Sequence, residues 1–108
     1  MANHPDSVFG QRLRAAREQL GLPQDQLGVL IGIDEGSSSA RISRYEAGVH
    51  EPPFSVAERL AKVLKVPTAY LYCRDDRMAS VILALGDLDP AGLQAIQASI
   101  QRRQRKIK

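Results

Sequence analysis

Apolar positions along the chain recur at helical rather than strand spacing. Phe9, Leu13, Ala16 and Leu20 follow one another at intervals of four, three and four residues, which marks one face of an amphipathic helix. Asp6-Ser7 offers the cap that opens this helix and Gly21 the residue that stops it. Pro23 suits a first helical turn, and Leu27, Leu30 and Ile31 predict a second, short helix ending near Gly32. Asp34 to Ser39 reads as turn chemistry, with Ser37, Ser38 and Ser39 each able to cap the next helix. Ile42, Tyr45 and Glu46 then predict a third helix over about 38–47, closed by Gly48.

His50-Glu51-Pro52-Pro53 is a stiff connection. Ser55-Val56-Ala57-Glu58 has the form of a capping box, opening a fourth helix with Val56, Ala57, Leu60, Ala61 and Leu64 inward. Val66-Pro67-Thr68 breaks it, and Thr68 to Tyr72 predicts a short fifth helix. Arg74-Asp75-Asp76-Arg77 is a polar joint. Beyond it Met78, Val81, Ile82 and Leu85 form one apolar stripe. Leu93, Ile96 and Ile100 form another on a last helix capped by Asp89-Pro90. No run alternates as a strand does, so the expected class is all-α. The units are residues 7–72 and a helical extension over 77–108.

Charge changes this picture more than bulk composition does. The chain of 108 residues carries a formal net charge of +3. Residues 1–76 hold 9 Lys/Arg against 10 Asp/Glu, whereas residues 77–108 hold 6 against 2. Any anion bound by the first two-thirds must therefore meet placed side chains and helix ends, not a general positive field. With two Phe, three Tyr and no Trp, a stacking platform for single strands has little to be built from. The lone Cys73 has no disulfide or Cys-metal partner and fits a reducing, cytoplasmic setting, as a packing residue or, less simply, a redox sensor. No stretch reads as a signal peptide or a membrane span. His4 and His50 stand in terminal and loop contexts, no Gly-rich phosphate loop follows a strand, and neither a metal nor a cofactor is expected. An enzyme is not expected.

An ordered set of residues goes further. Leu13, Ala16-Arg17-Glu18, Leu20-Gly21-Leu22, Gln24, Leu27, Ile31-Gly32-Ile33, Ile42-Ser43-Arg44-Tyr45-Glu46-Ala47-Gly48 and Pro53 resemble the phage-repressor (Cro-type, xenobiotic-response-element) helix-turn-helix family. The match runs from about residue 7 to 72. It implies a five-helix repressor-like domain that places its third helix in the major groove of double-stranded DNA. By that resemblance Ser39, Ala40, Arg41, Ser43 and Arg44 face the bases, with Arg44 the best candidate for a bidentate contact to guanine. Gln24, Arg17 and Ser38 are the expected phosphate contacts. Arg17 and Glu46 also match a pair that clamps the first helix to the end of the third. For each, a solvated surface residue is the plain alternative.

Two features depart from the family. Gly32 and Ile42 lie ten residues apart in the chain, where the family's tight turn needs roughly six. The extra residues either widen the turn or lengthen the front of the third helix, and they bring in Asp34 and Glu35, which repel phosphates. The loop after that helix holds Ala47, Val49, His50 and Glu51, where basic residues usually serve the backbone. The extension's apolar stripes predict either packing on the domain or a homodimer interface, and a dimer would present two reading helices about 34 Å apart to a palindromic operator. The basic residues at its end serve either phosphate contact or solubility. The implied function is a sequence-specific transcriptional repressor. The alternative is an antitoxin-like module whose main partner is another protein.

Overall fold

The computed structural model describes residues 7–107. The Asp6 half of the first cap, His4 and Lys108 of the tail lie outside them. Six α-helices and one 3₁₀ turn make up the described chain, with no strand among them. The order is α1 (Val8–Leu20), α2 (Gln24–Leu30), α3 (Glu35–Glu46), α4 (Phe54–Leu64), the 3₁₀ turn (Thr68–Tyr72), α5 (Asp76–Gly86) and α6 (Pro90–Ile107).

Local chemistry accounts for most of the ends. Ser7 Oγ accepts from the Gly10 amide at 3.1 Å and so caps α1. Gly21 ends it in the left-handed region at φ 69°, which a residue without Cβ adopts freely. Asp89 Oδ1 accepts from Gly92 N at 2.7 Å and caps α6 as expected. The predicted capping box at Ser55 does not form. Pro53 stands before the first turn of α4 and its carbonyl accepts from Val56 and Ala57, so Ser55 already lies inside the helix. The predicted fifth helix is the 3₁₀ turn.

One core unites the first five elements. Leu13 of α1, Leu27 of α2, Ile42 of α3, Leu60 of α4 and Leu71 of the 3₁₀ turn are all fully buried. Leu30, expected inward, is half exposed; α2 meets the core through Leu27 and Gly28 instead. The core does not stop at the polar joint. Ala79 of α5 is buried in it, and Ile82 and Leu83 pack against it. Arg12 braces that joint from α1. Its Nε donates to Cys73 O and its Nη2 to Arg74 O and Asp76 Oδ1, each at 2.9 Å, with the guanidinium over the Tyr70 ring.

The last helix is different. α6 buries none of its residues. The radius of gyration, 16.1 Å, exceeds the roughly 13 Å expected of a compact chain this long, and the long axis reaches 54 Å.

Candidate nucleic-acid interface

The position of α3 is set by how closely it crosses α2. A Cβ added at Gly28 would sit 1.8 Å from Ser38 Oγ, so only glycine permits this approach. Ser38 is completely buried there, and its hydroxyl donates to Asp25 O at 2.5 Å. This removes Ser38 from the expected phosphate contacts: it has neither the exposure nor a spare donor. Ile42 and Tyr45 lie on the same inward side.

The extra residues before Ile42 join the helix and leave the turn short. α3 begins at Glu35, about one turn before the expected start, and Asp34 supplies the cap by accepting from Gly36 N at 3.3 Å. None of the three serines caps it. At about 100° per residue, the direction opposite the buried stripe passes through Gly36, Ala40, Ser43 and Ala47. Ser39, Ala40, Arg41, Ser43 and Arg44 are all exposed. Arg44 and Ser39 stand on opposite flanks of this face. Arg41 turns toward a polar hollow of about 250 Å³ that it lines with Ser37, Asp34 and Arg59 of α4.

The far end of α3 is clamped. Arg17 Nε and Nη2 reach the two carboxylate oxygens of Glu46 at 2.6 and 3.2 Å, and Nη1 donates to Leu22 O at 2.9 Å. The two side chains are only 13% and 6% exposed. The hydrogen bond to Glu46 raises the Arg17 pKa above its already high ordinary value, so the guanidinium stays charged. Arg17 thus acts as the clamp, and with three of its N–H groups committed inward it has little left for a phosphate. Gln24 joins the cluster by donating Nε2 to Glu46 Oε1 at 3.0 Å, which leaves one amide N–H for an outside acceptor. Gly10 lets α1 press on the same spot: a Cβ there would lie 2.3 Å from Glu46 O.

Sequence reasoning missed Arg59. Its Nη1 donates to Ile31 O at 3.0 Å, tying α4 to the turn between α2 and α3. A charged residue midway along an amphipathic helix gives no local sign of such a reach. The loop after α3 keeps its backbone donors for its own helix end. The amides of Ala47, Gly48, Val49 and His50 all donate to carbonyls of the last turn. Among the described residues, no three His, Cys, Asp or Glu side chains gather as a metal site, and no helix is long and apolar enough to cross a membrane.

Comparison with known proteins agrees with this geometry. A helix-turn-helix domain family profile matches residues 8–71. Two relatives, each named an uncharacterized HTH-type transcriptional regulator, come from Sinorhizobium medicae (strain WSM419) and Rhizobium meliloti (strain 1021). Each is 30% identical over 70 residues, covering 65% of this chain and 48% of the relative. The chain thus spans about half the length of these two proteins. The crystal structure of the transcriptional regulator BswR superposes with a TM-score of 0.81 at 45% identity, over 86% of this chain and 92% of that one. That likeness extends beyond the residues of the family profile.

Proposed function

The chain belongs to the helix-turn-helix domain family, and from that premise we propose that it regulates transcription by binding a palindromic DNA operator as a homodimer, repressing by occupancy. The observation that carries this reading is the outward face of α3. It is solvent-exposed from end to end and held at both ends, by Asp34 capping at the front and by the Arg17–Glu46 clamp behind. Small residues along the middle of that face let the helix approach the groove floor, with Ala40 against a thymine methyl and Ser43 bonding a base edge. Arg44 on one flank reads guanine, Ser39 works from the other, and Arg41 and Gln24 grip the backbone or a neighbouring base. The unburied apolar stripe of α6 supports the homodimer. The relatives' names support the regulator reading, and a cytoplasmic setting follows from the DNA target.

The test is selection of bound sites from random duplex DNA, followed by titration across salt. A symmetric site should emerge, with affinity falling steeply as salt rises. Arg44→Ala should lose roughly 1–3 kcal/mol on that site and relax the preference at one base pair. If no sequence is enriched and salt has little effect, the regulator reading fails. The alternative is then favoured: an antitoxin-like partner of another protein, to which the acidic front of α3 would be suited.

A further inference from the structure

α6 carries a seven-residue repeat whose seam is apolar except at one place. Leu93, Ile96, Ile100 and Ile107 fall on the seam, each at least 41% exposed, and Arg103 occupies the seam position between the last two. The helix is 18 residues long, about 27 Å. Its two ends carry opposite charge: Asp87 and Asp89 stand at its start, and Arg102, Arg103, Arg105 and Lys106 lie in its last turns.

We propose that α6 pairs with α6 of a second copy in antiparallel orientation, each basic end lying beside the acidic start of the other. This rests on the homodimer reading above and adds its geometry. Two alignments of the helices are available, and charge separates them. A parallel pair would set Arg103 against Arg103 of the partner subunit inside the seam and bring eight like charges together around it. An antiparallel pair centred between Ile96 and Ile100 places each Ile96 against Ile100 of the partner subunit. It lays the aliphatic stem of Arg103 over Leu93 of the partner subunit and brings the guanidinium toward Asp89 of the partner subunit. The helix dipoles then also run head to tail. Met78 and Val81 on α5 are exposed apolar residues as well.

Because α6 buries nothing in its own chain, changes in it leave the core intact, and circular dichroism checks this. In the full chain with Cys73→Ser, Leu93→Cys and Arg103→Cys are oxidised separately and as a mixture. The mixture should form several-fold more covalent dimer than either alone. Efficient self-linking of either single variant would show parallel pairing and overturn the proposal. A dimer by light scattering that links in none of the three reactions would place the interface elsewhere, overturning the seam but not the homodimer. A wild-type monomer would overturn both. Independently, Arg102→Glu with Arg105→Glu should weaken dimerisation several-fold by sedimentation; tighter association would support the parallel pair and overturn the proposal.

Discussion

Replacing Arg17 with methionine tests whether the clamp holds the reading helix. The substitution keeps much of the aliphatic stem but removes all three hydrogen bonds, two of them to Glu46 at 2.6 and 3.2 Å. What remains is a carboxylate with 6% of its side chain exposed and only Gln24 Nε2 as a donor. Stranding one member of a buried ion pair costs about 3–5 kcal/mol, and the remaining Gln24 contact argues for the low end, near ~3 kcal/mol. Against a total stability of about 5–15 kcal/mol this is a large fraction. For a domain this size it lowers Tm by roughly 12–24 °C. Thermal and urea melts followed by circular dichroism measure it directly. Adding Glu46→Gln to Arg17→Met should then recover part of the loss, because the stranded charge is gone; a coupling of about 1–3 kcal/mol is expected. The raised Arg17 pKa means its contribution is fully present below the ordinary arginine value and is lost only at still higher pH. The Arg17→Met deficit should therefore owe no pH dependence across the neutral range to Arg17 itself. A single-variant loss below about 1 kcal/mol, or strict additivity in the double variant, would refute the reasoning.

Three further outcomes are expected from the same geometry. Gly28→Ala should separate α2 from α3 and abolish site-specific DNA binding, since its Cβ would meet Ser38 Oγ at 1.8 Å; a variant that melts and binds like wild type would refute the crossing. Glu35→Gln should raise affinity for random duplex DNA in a filter or anisotropy assay while lowering stability by about 0.3–1 kcal/mol, because the same charge repels phosphate and favours the helix start; unchanged DNA affinity would show that Glu35 stands away from the duplex. A chain ending at Leu88 should remain folded but sediment as a monomer, whereas one ending at Asp76 should lose stability through the missing Ala79, Ile82 and Leu83. Equal melting of the two would contradict the docking of α5.

Hydrophobic spacing carried most of the inward faces, though Leu20 and Leu30, on the same spacing, stay exposed. The inward faces of α1, α3 and α4 were legible because burying Leu13, Ile42 and Leu60 requires that periodicity. The clamp was legible only through resemblance, since nothing in the spacing of Arg17 and Glu46 brings them together. The front of α3 is legible only as one of two readings, a wider turn or a longer helix, because glycine and three serines have weak helix propensity and favour caps and turns. Packing decides for the helix: the fit of Ser38 over Gly28 and its bond to Asp25 O belong to tertiary structure, which routinely overrides local preference. Arg59 escaped notice for the same reason, its partner Ile31 O being 28 residues away in the chain.

The length added ahead of Ile42 has a consequence of its own. Relative to the family's spacing it amounts to about four residues, close to the 3.6 of one helical turn. An insert of that size advances the helix along its axis while nearly conserving its rotational phase. Ala40, Ser43 and Arg44 keep their outward azimuth and Ser38 takes an inward one, while the start of α3 moves forward by about 5–6 Å. A two-residue insert at the same point would rotate the added turn by roughly 200° relative to this phase match, turning an inward position outward. Viable length changes here are therefore quantised: near whole turns they alter reach into the groove, and between whole turns they scramble which side chains read it.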